Sequence, residues 1–175
     1  QDMALPFETA HFLDGFAWPD GKFRFKPDWS AYGGRGQEMP TLPDHFAVTD
    51  AATAARPFRL VAAPARTFLN STFTETPGSL RREVRPTALL HPEDCAALGV
   101  VEGDRVVLGN ERGTVTVHAR PRAGQQRGVV IVEGIWPNRH FENEIGINAL
   151  TGADPAWPAG GAAFHDTAVW IRKRA

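Results

Sequence analysis

The chain is predicted to be a mainly β protein: a closed barrel with short helices, preceded by an irregular N-terminal arm. Three observations predict this. Short runs rich in Val, Ile and Thr recur from residue 57 onward, separated by Gly, Asn and Pro. One of them, Thr114-Val115-Thr116-Val117-His118-Ala119, alternates apolar and polar residues as a half-buried strand requires. The first 55 residues instead scatter aromatics among Pro and Gly with little periodicity. Many short strands with turns between them favour closure, because a closed sheet has no unpaired edge.

Each element has its own signal. Residues 58–63 are an apolar first strand, and residues 83–90 a second. The second ends at His91-Pro92-Glu93-Asp94-Cys95-Ala96-Ala97-Leu98-Gly99, which reads as one short helix. Pro92 suits the first helical position, where its missing N–H has no partner to lose. Glu93 and Asp94 place negative charge at the positive end of the helix dipole, and Gly99 suits a left-handed C-cap. Gly103-Asp104 turns the chain into Val106-Val107. Residues 105–108 and 114–119 flank Asn110-Glu111-Arg112-Gly113, a hairpin connection. Residues 128–133 are continuously apolar and are expected to be buried on both faces; residues 168–172 give the last strand.

In the arm, Asp20-Gly21 separates residues 16–18 from residues 22–25, which could pair as a hairpin. Lone hairpins are marginal, so an irregular arm that lays Phe12, Phe16, Trp18, Phe23, Phe25 and Trp29 on a neighbouring surface is favoured. Gly33-Gly34-Arg35-Gly36 has no strand before it and no helix after it, so a flexible turn is expected rather than a phosphate loop.

Composition narrows the function. A chain of 175 residues fits one domain, or one with a long extension, and 42% hydrophobic residues can build a core. A net charge of −1 with no basic stripe argues against nucleic acid or an anionic membrane surface as partner. The single Cys95 excludes an internal disulfide and a CxxC metal site, and is expected to be buried as a small apolar residue. There is no signal-peptide pattern and no stretch long enough to span a bilayer. A cytoplasmic setting is expected, with the periplasm as the alternative. Starting at Gln1 without a Met, the chain is expected to be processed or a piece of a longer polypeptide. No GxSxG elbow surrounds Ser30, Ser71 or Ser79. The six His residues form no HxxxH pair, so no metal-ligand set is assigned.

Ala65-Arg66-Thr67-Phe68-Leu69-Asn70-Ser71-Thr72-Phe73, His91-Pro92-Glu93-Asp94-Cys95-Ala96 and Gly99-Val100-Val101-Glu102-Gly103-Asp104-Arg105-Val106 follow one another in order. Asn110-Glu111-Arg112-Gly113, Gly128-Val129-Val130, Asn148-Ala149-Leu150-Thr151 and Phe164-His165-Asp166 continue the series. This ordered set, over residues 56–173, resembles the C-terminal dinucleotide-binding domain of the molybdopterin oxidoreductases, the family of formate dehydrogenases, nitrate reductases and dimethyl sulfoxide reductases. Cys95 departs from the family pattern, where Ala is commoner. The resemblance implies a six-stranded double-psi barrel over residues 56–175. It implies that residues 1–55 are a linker from preceding catalytic domains, with Asp20-Gly21-Lys22-Phe23-Arg24-Phe25 within it. It also implies a bis-molybdopterin guanine dinucleotide carrying molybdenum or tungsten, an iron–sulfur cluster elsewhere in a longer parent, and the parent's remaining domains as partners.

A pterin dinucleotide needs many hydrogen-bond partners, a few cationic or backbone donors and flat apolar walls. Arg66, with its planar guanidinium, and Thr67, Asn70, Ser71 and Thr72 offer that mixture, with Leu69 and Phe73 expected as core anchors. The competing reading is a turn cluster, since Asn, Ser and Thr favour turns in any case; the resemblance favours cofactor contact. Asn70-Ser71-Thr72 also fits a glycosylation acceptor, without a secretory context. Asn148 can meet a donor and an acceptor on a pterin edge, or bond only local backbone. Trp136 and Phe141 are candidate ring walls or plain core aromatics. His165 is a candidate donor, or a surface His beside Asp166.

Two other function classes fit such a barrel. Aspartate decarboxylases cleave themselves at a Gly-Ser bond, and Gly78-Ser79 is such a dipeptide. Similar barrels in unfolding ATPases bind proteins, and the aromatic arm would then be a docking element. The expected function is a cofactor-binding domain that is inert by itself.

Overall fold

The computed structural model describes residues 4–32, 36, 37, 39–42, 44, 50–156, 161–164 and 167–174. The described residues before 47 form one unit, and residues 50–156 with 161–174 form another. In the first unit, α1 (Phe7–Ala10) is a single turn, and the 3-10 turn Trp29–Tyr32 is a second short regular piece. Gly21 and Phe16 face each other through backbone bonds (Phe16 N–H to Gly21 O, 2.9 Å), yet no strand pair forms among the described residues there. The aromatics pack on each other instead: Phe12 stacks on Phe16 at 5.0 Å, Phe16 meets Phe23 at 5.2 Å, and Phe23 meets Phe25 at 4.8 Å. They line a groove of about 640 Å³ together with Trp29 and Leu42. The described residues of this unit are thus irregular rather than a hairpin, and their aromatics pack on one another. Residues 33–35 of the glycine-rich run lie outside the described residues.

The second unit holds a closed barrel of six strands. They are β1 (Phe58–Ala63), β2 (Thr87–Leu90), β3 (Arg105–Gly109), β4 (Thr114–Pro121), β5 (Val129–Glu133) and β8 (Thr167–Lys173), in the order β1-β5-β2-β4-β3-β8. A two-stranded ribbon, β6 (Pro155–Ala156) with β7 (Gly161–Ala162), lies outside it. Two neighbouring pairs are parallel, β1 with β5 and β2 with β4; the other contacts are antiparallel. The chain leaves β1, builds β2, β3 and β4, and only then returns beside β1 as β5. This interleaving of two parallel pairs gives the crossed connections of the expected barrel.

Alternation on each strand separates inside from outside. On β4, Val115, Val117 and Ala119 point into the core, and His118 lies half-buried on the other face. Leu60, Val106, Leu108, Val130, Val132 and Val169 complete the interior. Burial of each such side chain stabilises the fold by roughly 1.5–3 kcal/mol. The expectation that residues 128–133 are buried on both faces is corrected: Val130 and Val132 are fully buried, while Val129 and Ile131 are half-buried. In a barrel every second residue faces outward, even when it is apolar.

The second strand is shorter than its sequence reading. Residues 77–83 form a helix, α2 (Pro77–Glu83), started by Pro77 at its first turn and ended at Val84, which has φ +66°. Pro86 follows, and the strand begins at Thr87. The helix α3 (Pro92–Leu98) matches expectation: His91 Nδ1 accepts from the Glu93 N–H at 3.2 Å, and Gly99 caps it at φ +64°. Cys95 is buried, and burial with the adjacent Asp94 charge pushes its thiol up. Asp94 does more than face the helix dipole. It is 7% exposed, and its Oδ2 accepts from the Gly128 N–H at 2.8 Å, pinning the start of β5.

Candidate functional site

Strand direction decides where the loops go. β1, β3 and β5 run one way, and β2, β4 and β8 the other. The connections 64–86 and 110–113 and residues 134–154 after β5 therefore all belong to one end of the barrel. Residues 91–104, with α3, and residues 122–128 belong to the opposite end. Every predicted site residue among the described residues falls in the first set. The helix and turn at 91–104, which carry much of the family resemblance, fall in the second.

The first loop leaves β1 beside the exit of β5, where the Gly134 N–H donates to Ala63 O at 2.8 Å. Arg66 is exposed. Thr67 is already engaged: its N–H and Oγ1 both donate to Glu83 Oε1, at 3.2 and 2.6 Å, tying the loop to α2. Leu69 and Thr72 exchange two backbone bonds, 3.1 and 2.8 Å, so Asn70 and Ser71 form the tip of a tight turn. Asn70 takes φ +52°, a left-handed conformation that Asn tolerates better than most residues. The turn reading is therefore correct for the backbone, and it leaves the side chains of Asn70, Ser71 and Thr72 exposed.

The expected anchors are corrected. Leu69 is 65% exposed and Phe73 59%. Phe68 and Thr74 are buried instead, and the Thr74 Oγ1 donates to Ser71 O at 2.9 Å. The two-residue turn tip shifts which side chains face inward, a register that composition does not reveal.

The loop after β5 packs against this one. Phe68 meets Trp136 edge to face at 4.7 Å, and Trp136 meets His140 at 5.2 Å. Glu75 pairs with Arg139 and lies 3.5 Å from His140 Nε2. The Arg139 hydrogen bond is the main cause that holds the Glu75 carboxyl below the usual range. Trp136 and Phe141 are 3% and 5% exposed, and the Trp136 Nε1–H donates to Glu133 O at 3.2 Å. Both rings belong to the buried core cluster, the place the core-aromatic alternative gives them.

Asn148 sits on the 3-10 turn Ile147–Leu150 and is exposed. Its carbonyl accepts from the Thr151 N–H and Oγ1, at 3.2 and 3.0 Å, while its side-chain amide has no partner among the described residues. Ile147 and Leu150 on either side are buried in the core, so the turn is held by its apolar residues and presents its amide outward. His165 lies outside the described residues.

Other chemistry finds little support. Gly78 and Ser79 lie inside α2, with the Ser79 Oγ donating to Thr67 O at 3.1 Å. No cluster of three or more His, Cys, Asp or Glu side chains that could hold a metal occurs among the described residues. No helix of the described residues is long and apolar enough to cross a membrane. A cavity of about 260 Å³ beside β4 is lined by Arg82, Arg85, Arg120 and His118, features that sequence reasoning did not bring together.

The fold is thus a closed six-stranded barrel with two interleaved parallel pairs and long connections at one end that carry exposed polar side chains. Residues 58–168 match the molydopterin dinucleotide binding domain, and the chain belongs to that family. It is 32% identical over 136 residues to the probable oxidoreductase YoaE of Bacillus subtilis, covering 77% of this chain and 19% of that protein. It is 26% identical over 136 residues to the alpha chain of the respiratory nitrate reductase of Haloferax mediterranei (76% and 14%). It is 28% identical over 107 residues to a putative dimethyl sulfoxide reductase catalytic polypeptide of Halobacterium salinarum (61% and 13%). The fold matches acetylene hydratase from Pelobacter acetylenicus with a TM-score of 0.72 at 16% identity, over 91% of this chain and 24% of that one. The chain spans less than a quarter of the length of each.

Proposed function

We propose that the loop end of the barrel holds the pterin part of a bis-molybdopterin guanine dinucleotide inside a larger molybdenum or tungsten oxidoreductase. The parent's iron–sulfur cluster and substrate site would lie in its other domains, and the domain by itself turns over no substrate. The observation that carries this reading is that Arg66, Asn70, Ser71, Thr72 and Asn148 are all exposed, and all lie in connections belonging to one barrel end.

The donor set fits the group. Asn148 and Asn70 each offer an amide donor and acceptor, Ser71 and Thr72 offer hydroxyls, and Arg66 offers a guanidinium for an anionic or acceptor-rich edge. Thr67 supports from behind, through Glu83, rather than by direct contact. The bound group supplies the metal at which the parent's chemistry takes place. The residues of this chain bind and orient it.

The test is the full-length parent with Asn148→Ala. Pterin release is followed by fluorescence after the protein is separated from free cofactor, and metal per polypeptide is measured alongside. Loss of one ordinary hydrogen bond, about 1 kcal/mol, predicts release roughly fivefold faster. Unchanged release and unchanged metal content in both Asn148→Ala and Asn70→Ala would count decisively against this site.

A further inference from the structure

We infer that Asn110 and Arg112 are positioning residues for Asn148, acting through the Leu150 carbonyl. The inference rests on the reading of Asn148 as a cofactor contact.

Asn110 and Arg112 belong to the β3–β4 turn, at the same barrel end. A simple turn would need one side-chain bond, and Asn110 provides it: its Oδ1 accepts from the Arg112 N–H at 2.9 Å. Its Nδ2 does something a turn does not require. It leaves the turn and donates to Leu150 O at 2.8 Å, with Ala168 O on the neighbouring strand β8 also near at 3.5 Å. Arg112 Nη1 approaches the same Leu150 carbonyl at 3.4 Å.

Arg112 is itself held in place. Asp50, with a side chain 12% exposed, accepts from Arg112 Nη1 at 2.9 Å on Oδ2, while its Oδ1 takes Arg56 Nη1 at 3.2 Å. The backbones also approach closely: a Cβ at Gly113 would sit 3.4 Å from Ala149 O, and one at Gly152 would sit 3.2 Å from Arg112 Nη2.

The consequence falls on Asn148. Leu150 is fixed at both ends, by a fully buried side chain and by its carbonyl. Thr151, the next residue, closes back on the Asn148 carbonyl. The backbone of Asn148 is thereby fixed two residues upstream of the clamp, and its amide side chain is left to meet a ligand. A preorganised amide binds more tightly, because less conformational freedom is lost on contact.

A double-mutant cycle in the full-length holoenzyme tests this, with the pterin release rate as readout. Asn110→Ala is expected to speed release roughly fivefold, as loss of one hydrogen bond would. In an Asn148→Ala background the same change is expected to add little, because two residues acting through one contact are not additive. Arg112→Lys keeps a charge for Asp50 but loses the guanidinium reach to Leu150 O. It serves as a milder second probe if Asn110→Ala lowers the yield of folded protein, and the same non-additivity is expected of it. A purely structural role would accelerate release equally in both backgrounds, and that result overturns the inference. So does unchanged release in Asn110→Ala and Arg112→Lys when Asn148→Ala alone is fast. Unchanged release in Asn148→Ala itself overturns the reading of Asn148 and the clamp with it.

Discussion

His118 sits half-buried on β4, with its Nδ1 shut away from solvent and without a hydrogen-bond partner among the described residues. Burial, reinforced by the nearby Arg85 charge, pulls its pKa below the ordinary 6.5. The unfolded chain therefore takes up this proton at a higher pH than the folded one. Stability from this group is complete above about pH 6.5 and falls as pH drops through the depressed value. Thermal midpoints measured from pH 8 to pH 5 should show a decline that His118→Gln flattens; an unchanged slope would exclude this origin. Gly134 is a second residue whose role is local. It has φ +83°, and a Cβ there would lie 2.8 Å from Phe68 Cδ2, where the two site loops cross. Gly134→Ala should cost roughly 1–3 kcal/mol, readable as a lowered thermal midpoint. At this scale the sequence was partly legible. Asn148 and the tip Asn70-Ser71 could be singled out because few residue types pair a donor with an acceptor. Leu69 and Phe73 misled because the tight turn they flank has left-handed backbone at both Asn70 and Phe73, a register that composition does not reveal.

Helix α3 and its flanks show the element scale at its most legible. Cap, first-turn Pro and left-handed Gly all act within a few residues, so their meaning survives without tertiary context. The reach of Asp94 to the Gly128 N–H does not, since 34 residues separate the partners. Asp94→Ala would leave that amide unpaired in a partly buried setting, and should destabilise the fold by about 1–3 kcal/mol. Chemical denaturation of the 175-residue chain would show this as a lower midpoint with an unchanged slope. Helix α2 was hidden for the opposite reason. Its short length and arginine-rich end give no periodic apolar face, and the apolar run that follows absorbed Glu83 and Val84 into a strand. The Asn110–Leu150 clamp was likewise invisible, because only closure of the barrel brings the β3–β4 turn to the 3-10 turn at Ile147–Leu150.

At the scale of the whole molecule, the barrel sorts its connections between two ends. One end carries α3 and the turns at 99–104 and 122–128. The other gathers the exposed polar side chains proposed to hold the cofactor. Barrel closure and the order of the family's pieces were readable from the sequence, since each strand carries its own turn signals. Which connections share an end was not, because it follows from strand direction, which periodicity does not encode. Backbone hydrogen exchange, compared between cofactor-loaded and cofactor-free parent enzyme, tests the division most directly. The account predicts slowed exchange in residues 66–73 and 146–151, with residues 122–128 at the opposite end unchanged. Protection confined to the opposite end, or none in either loop, would contradict it.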